Sequence, residues 1–494
     1  MARHVDVLII GAGLSGIGMA CHLTRETTGR SYTILERRDA IGGTWDLFRY
    51  PGIRSDSDMY TFGYGFRPWH GTKVLADGPS IRQYITDTAT EYGVTEHIRF
   101  GRRVTEASWS SERGVWTVTA VDERGGETEV YTADFLAGCT GYYDYDNGYR
   151  PEFPGEENFQ GPIVHPQHWP QDLDFRDKQV VVIGSGATAI TLIPAMSGAA
   201  AHVTMLQRSP TYISSLPADD PVAVGLKAAR VPAAIAYRTG RARNIAIQRA
   251  SFRLSRKNPA LMRRVLLNAV RMQAGPGIDL RHFSPRYNPW DQRLCIVPGG
   301  DLFKELRSGR ASVVTDRIET FTETGIRLAS GQELPADIVV SATGLSVQML
   351  GGARLVVDGE PVVTRDLLVY KGTLFSGLPN MMFVLGYTNA SWTLKADLAS
   401  EYFCRLLNHM AAHGYSRFVA VPQQDDRSAD SVMGSELTSG YVQRADPVMP
   451  RQGTRGPWRV VNNYFRDRKR LRKEPVEDGI LQFSRYPADL RSTG

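Results

Sequence analysis

The sequence predicts an α/β protein made of two Rossmann-like dinucleotide-binding domains with a helical insert. Three observations carry this reading. Two glycine-rich fingerprints lie on one chain, Gly11-Ala12-Gly13-Leu14-Ser15-Gly16 and Gly184-Ser185-Gly186-Ala187-Thr188-Ala189. Each follows a short apolar run, Val5 to Ile10 and Val180 to Ile183, of the kind that forms a strand buried on both faces. Between about 220 and 285 the apolar spacing becomes helical. At 494 residues the chain exceeds what a single core supports, so several packed domains are expected.

In chain order, the first strand and Gly turn lead into the small and apolar Ile17, Gly18, Met19, Ala20 and Leu23, a helix packed on a sheet. The next strand, Ser31 to Leu35, ends in Glu36, twenty positions past Gly16, where a carboxylate can accept hydrogen bonds from a ribose 2′-hydroxyl. In the second unit the strand Val203 to Leu206 ends in Gln207-Arg208-Ser209 with no acid. A guanidinium there can pair with a 2′-phosphate that a carboxylate would repel. The first site therefore reads as built for FAD and the second for NADPH. Two dinucleotides on one chain imply electrons passed between them. In both units the phosphates are expected at helix N-termini, where free N–H groups and the helix dipole favour anions. Ala189 stands where a third glycine is usual, a permitted change because that position serves helix–strand packing.

Asn258-Pro259 supplies a cap and first-turn proline for a helix whose apolar stripe is Met262, Val265, Leu266, Ala269 and Val270, with Arg263, Arg264 and Arg271 off it. Residues 221 to 278 hold many Arg and Lys but no Asp or Glu. This reads as a solvated face that steers NADPH, with peripheral contact to an anionic membrane surface as the alternative. The cluster Arg466 to Arg470 reads as a solvated helix face. Phe135 to Gly141 and Asp337 to Gly344 share one form, a buried strand turning at glycine. Such paired exits suit a chain that leaves one nucleotide domain and later returns. The expected division is an FAD domain at 1–145 and 371–494, an NADPH domain at 146–215 and 290–370, and the insert at 216–289.

Composition limits the alternatives. With 42% hydrophobic and 22% charged residues the chain is neither disordered nor collagen-like, and a net charge of +6 requires no nucleic-acid partner. Four scattered cysteines with no C-x-x-C pair indicate neither a zinc cage nor a dithiol centre, so no metal is expected. No run is apolar enough to span a bilayer, and the first strand starts too near the N-terminus for a cleaved signal peptide. A reduced cytoplasmic protein is the expectation. The oligomeric state is not legible.

Phe159, Gly161, His165, Trp169 and Pro170 match the F-x-G-x-x-x-H-x-x-x-W-P pattern, and Gly42-Gly43-Thr44-Trp45, Tyr50-Pro51-Gly52 and Asp56 match a second signature. Together they resemble the type I Baeyer–Villiger monooxygenases. Arg49 to Tyr60, Tyr287 to Arg293 and Ser439 to Val442 extend the likeness over nearly the whole chain, most of all to the ethionamide-activating branch. The resemblance implies an enzyme using FAD, NADPH and O2 to insert oxygen beside a ketone carbonyl, with sulfide oxidation as an accompanying activity. It implies a C4a-peroxyflavin kept deprotonated by a permanent cation, a role that falls on Arg293, with Asp56 orienting it near flavin and nicotinamide. It implies that Gly43, Thr44 and Trp45 lie beside the flavin, Trp45 as part of the core as well, and that Val104 is either a neighbour of the adenine or a plain buried valine. Many members carry a Lys on the NADPH 2′-phosphate where this chain has Gln292, which leaves more of that contact to Arg208 and Ser209. His165 is expected to serve as a hydrogen-bonded hinge. The rival readings are a heteroatom monooxygenase acting on soft N or S centres, a non-oxygenating NADPH:flavin oxidase or reductase, and an NADPH-sensing binding protein.

Overall fold

The computed structural model describes residues 3–423, 426–434 and 438–486. The first domain opens with β1 (Arg3–Ile10), α1 (Leu14–Glu26) and β2 (Tyr32–Leu35). Two single-turn helices, α2 (Thr44–Leu47) and α3 (Met59–Phe62), and the longer α4 (Gly78–Glu91) follow. Next come β3 (Ile98–Arg99), β4 (Arg102–Ser110), β5 (Val115–Asp122), β6 (Thr128–Gly138) and the connector β7 (Tyr143–Gly148). The second domain has β8 (Ile163–Val164), β9 (Gln179–Ile183), α5 (Ala187–Met196), β10 (His202–Gln207) and β11 (Ile213–Leu216). The insert is α6 (Pro221–Ala228), α7 (Ala233–Lys257) and α8 (Pro259–Ala274).

The second domain resumes with β12 (Cys295–Pro298), α9 (Asp301–Arg307) and β13 (Ala311–Thr315). A small antiparallel sheet of β14 (Ile318–Thr322), β15 (Gly325–Leu328) and β16 (Glu333–Pro335) precedes β17 (Ile338–Ser341). The return carries β18 (Leu345–Val347), β19 (Arg354–Val357), β20 (Glu360–Val362), β21 (Val369–Tyr370), β22 (Leu374–Phe375) and β23 (Met381–Phe383). Helices α10 (Trp392–His413), α11 (Gly440–Ala445) and α12 (Tyr464–Arg472) follow.

Both predicted nucleotide units form. In the first sheet β1 lies between β6 and β2, parallel to both, and Val7, Leu8 and Ile9 are wholly buried. In the second the order is β13-β10-β9-β17-β8, all parallel. Just past the two exits, β7, leaving the first domain, and β18, returning to it, pair antiparallel as a two-stranded hinge, a contact the sequence did not predict. His165 is fixed to this hinge, its Nε2 3.1 Å from the Gly344 carbonyl oxygen while the Gln167 N–H donates to Nδ1 at 3.2 Å.

Three details differ from the sequence reading. Strand β19 already pairs with β4 of the first sheet, so the crossing back comes well before 370. In α8 the buried stripe is Met262, Leu266, Val270 and Ala274, while Val265 is 53% exposed. Arg263, expected off the stripe, is half-buried and donates to the Tyr212 hydroxyl at 2.6 Å and to the Pro285 carbonyl. A 3.6-residue period fixes the width of an apolar face, and tertiary packing fixes its phase. Finally, Asp467 leaves the supposed solvated face: it is buried and pairs with buried Lys395 at 2.8 Å, tying α12 to α10.

A second buried cluster joins α1, α10 and the insert. His22 lies 2.7 Å from Glu26 and 3.6 Å from Asp397, and Arg241 of α7 reaches Asp397 at 3.2 Å. Burial alone would lower the imidazole pKa, but the carboxylates of Asp397 and Glu26 outweigh it and carry it up to about 9. Because the folded-state value lies above the unfolded one, this contribution to stability is complete below about pH 6.5 and is lost as pH rises through about 9. A His22→Gln variant should therefore melt several degrees below the wild type at pH 6, and the gap should close by pH 10; melting curves across that range check it.

Candidate active site

The two phosphate turns are shaped by close backbone approach. Gly11 takes φ +102° and passes so near the Cys139 carbonyl that a Cβ would sit 2.8 Å from its oxygen; Gly184 takes φ +139° against Ala342. Only glycine suits either place. At Gly16 a Cβ would strike the Gly11 carbonyl, so the start of α1 packs directly on the turn. Gly13 faces Gly43 across the mouth of the first turn, its missing Cβ 3.4 Å from the Gly43 Cα. This bare backbone cradle, ending in the first N–H groups of Leu14 and Ser15, fits a pyrophosphate.

Glu36 sits at the end of β2, 4% exposed, accepting N–H groups of Ala12 at 2.6 Å and Arg38 at 2.8 Å. Burial raises its carboxyl pKa, and the two N–H donors pull against that rise. The carboxylate thus braces the turn from the end of β2, the position at which the fingerprint leads one to expect a ribose partner. Val104 is buried beside it on β4, two residues past Arg102, whose N–H donates to the Glu36 carbonyl at 2.8 Å. Thr44 hydrogen-bonds the Tyr145 phenol, and Trp45 packs edge-on against Phe62 with centroids 5.5 Å apart.

At the second turn the Ser185 hydroxyl donates to the Ser209 carbonyl at 3.1 Å, tying the fingerprint to the end of β10. Arg208 stands exposed there. Ala187 and Thr188 open α5, and Ala189 is fully buried in the helix–sheet contact. Gln292 lies half-buried in a tight turn after Trp290, which takes φ +70°.

The segment 49–56 crosses from the first domain onto the second. The Tyr50 phenol hydrogen-bonds Thr188, Gly52 lies against Thr191 and Ala195 of α5, and Arg54 pairs with Asp301 at 2.5 Å. The segment ends at Asp56, whose Oδ2 accepts from Arg293 Nη1 at 2.8 Å. Two backbone carbonyls hold the rest of this guanidinium: Thr388 from Nε and Tyr387 from Nη2, both at 3.2 Å. Burial would lower the pKa of Arg293; the Asp56 carboxylate and the phenols of Tyr441, Tyr142 and Tyr143 reverse this and raise it above its ordinary value. The side chain keeps 34% of its surface exposed, so the cation faces the junction of the domains.

Sequence reasoning missed the aromatic wall of this junction. The Trp392 ring stacks on Tyr142 at 5.3 Å, and its Nε1 donates to the Ser15 hydroxyl at 2.8 Å. It thereby joins the first phosphate turn to the aromatic wall beside the arginine. A tryptophan opening an apolar helix reads as core, and nothing local distinguishes it.

Comparison with known proteins bears on the family and the fold. A flavin-binding monooxygenase-like family model matches residues 73–228, and an NAD(P)-binding Rossmann-like model matches residues 9–87. The chain is 58% identical over 494 residues, 99% of each chain, to the putative FAD-containing monooxygenase MymA of Mycobacterium tuberculosis. It is 52% identical, over the full length of both, to the FAD-containing monooxygenase EthA of Mycolicibacterium smegmatis. Among solved structures, oxidised steroid monooxygenase bound to NADP superposes with a TM-score of 0.77 at 22% identity, covering 98% of this chain and 100% of that one. The open structure of cyclohexanone monooxygenase gives 0.71 at 21%, covering 85% and 90%.

Proposed function

The chain belongs to the family of FAD-containing monooxygenases, and from that premise we propose that it converts ketones to esters or lactones by Baeyer–Villiger oxidation, with NADPH as its electron source. The balance is ketone, O2, NADPH and a proton giving ester, NADP+ and water. The observation that carries the reading is Arg293, a cation held by Asp56 and two backbone carbonyls at the mouth between the nucleotide domains. Bound FAD supplies the activation of O2 with electrons from NADPH.

The residues of the chain do the rest. Arg293 cannot give up its proton at working pH, so it holds negative charge on the reacting oxygen and on the oxyanion that develops at the former carbonyl. Asp56 and the carbonyls of Tyr387 and Thr388 fix the direction of the guanidinium. The stacked rings of Trp392 and Tyr142 form an apolar wall beside this mouth, and keeping water from the reacting oxygen favours oxygen transfer over release of H2O2. Glu36 binds the FAD ribose and Arg208 the NADPH 2′-phosphate. Oxidation of sulfides at the same site is a companion activity.

The deciding measurement is product analysis with purified holoenzyme, NADPH, O2 and a panel of ketones and sulfides. Ester in proportion to NADPH consumed supports the proposal. Consumption that gives only H2O2, or only oxidised sulfide and amine, overturns it.

Coenzyme choice gives a separate expectation. With Gln292 carrying no charge, Arg208 is the cation at the end of β10 available to a 2′-phosphate. Arg208→Gln should raise KM for NADPH about tenfold or more, the loss expected for a charge-assisted contact, and leave KM for NADH nearly unchanged. Steady-state kinetics with both coenzymes checks it.

A further inference from the structure

Eight of the thirteen large apolar side chains that stand exposed among the described residues belong to the insert. On α8, Leu261, Val265 and Met272 are 41%, 53% and 79% exposed and follow one helical stripe at i, i+4 and i+11. Ile235, Ile247 and Leu254 are exposed on α7, Val222 and Val224 on α6. The same stretch, residues 221 to 278, carries twelve Arg and Lys and no acid. Arg241, Arg243 and Arg256 pair with carboxylates elsewhere. Arg238, Arg253, Lys257, Arg264 and Arg271 are exposed and form no ion pair among the described residues, and Lys227 and Arg230 extend that set on α6 and just after it.

The face continues onto α12. Arg249 of α7 lies 4.7 Å over the ring of Phe465, itself 42% exposed, and donates to Asn463 at 2.5 Å. Beyond Phe465, the basic Arg466, Arg468 and Lys469 are exposed. Between α7, α10 and α12 a cavity of about 370 Å3 has Ile245, Leu394 and Leu398 on its apolar side and Arg238 and Arg468 on its basic side, and the one carboxylate in its lining, Asp397, is paired with Arg241. Among the described residues no helix is long and apolar enough to cross a membrane.

We infer that the insert and α12 form a docking face for an anionic lipid bilayer, with the aliphatic side chains entering the headgroup boundary and the unpaired cations meeting lipid phosphates. A face that only steered NADPH would need the cations and not the exposed Val, Ile, Leu and Met. A second copy of the chain would bring this face against itself about a two-fold axis, setting unpaired cations against their own kind. An acidic protein partner would call for a free aromatic anchor; the exposed apolar side chains of α6, α7 and α8 are all aliphatic or Met, and Phe465 of α12 already carries the Arg249 guanidinium over its ring. Apolar and basic groups together, with no acid between residues 221 and 278, match the chemistry of an anionic membrane surface.

Flotation of the FAD-loaded enzyme with vesicles tests this. Vesicles of phosphatidylcholine with an equal part of phosphatidylglycerol should carry the enzyme upward, pure phosphatidylcholine should not, and about 0.5 M salt should release it. Each of Arg253→Gln, Lys257→Gln, Arg264→Gln and Arg271→Gln should weaken binding about fivefold. The triple variant Leu261→Ser, Val265→Ser, Met272→Ser should weaken it about tenfold or more at unchanged flavin content and melting temperature. No flotation with either vesicle overturns the inference. Flotation that neither set of substitutions reduces also overturns it. Self-association that the triple variant abolishes, with no vesicle binding, assigns the face to a second copy instead.

Discussion

Replacing Arg293 with alanine should cut ester formation by about a thousandfold while NADPH is still consumed and its electrons leave as H2O2. The size follows from the geometry. Arg293 is a single cation whose carboxylate partner and two carbonyl acceptors are supplied from two other segments, so its direction is fixed before any substrate arrives. Pre-oriented charge of this kind, aimed at a developing oxyanion, is worth on the order of 100- to 1,000-fold when removed, and here the same group also holds the attacking oxygen anionic. The glycine-rich turn proposed for NADPH is built from residues 184–189 and does not use the guanidinium, so coenzyme oxidation should persist. Arg293→Lys separates charge from shape: the ammonium keeps the charge but cannot serve Asp56, Thr388 and Tyr387 from three nitrogens at once. It should recover less than a tenth of the lost ester yield, about the loss expected for one missing charge-assisted bond. Gas-chromatographic ester yield beside peroxide assay, at equal NADPH turnover, checks both variants. Normal ester formation by the alanine variant would remove Arg293 from this role.

The nucleotide units were legible because their signals are local: an apolar strand, a Gly turn and a residue at a fixed distance are dictated by steric limits within a few dozen residues. Glu36 and Arg208 were singled out in this way, and the structure places each just past the end of its strand, β2 and β10. Arg293 and Asp56 were not of that kind, being 237 positions apart, and only resemblance brought them together. The carbonyls of Tyr387 and Thr388 had no signal at all, since every residue has a carbonyl and only the fold decides where it points. Trp392 and Tyr142 read as core because an aromatic that lines a chamber and one that fills a core obey the same hydrophobic pattern. Val265 and Arg263 exchanged expected places for a different reason: on a helix with apolar groups on two sides, period alone does not choose which side faces inward. The outcome left Val265 in solvent on the face assigned to the bilayer.

The second large effect concerns a glycine that the fold itself does not need. Gly186 has an ordinary extended φ of −79°, and a Cβ built on it has no neighbour within 4 Å. Its counterpart Gly184 has φ +139° and no room beside Ala342, so only Gly184 is demanded by the chain. If nothing in the protein fills the space at Gly186, the reason for a glycine there lies in what approaches α5 from outside, and the N-terminus of a Rossmann helix suits a pyrophosphate. Gly186→Val should therefore fold normally, retain full FAD and melt within about 2 °C of the wild type, since surface changes away from packing usually cost under about 0.5 kcal/mol. KM for NADPH should nonetheless rise about 10- to 100-fold, the loss of one or two charge-assisted N–H contacts. The same substitution at Gly184 should instead destabilise the second domain. Melting curves, flavin spectra and NADPH kinetics on the two variants separate a glycine kept for the chain from a glycine kept for the ligand. An unchanged KM in Gly186→Val would mean that the coenzyme phosphates do not rest on this helix.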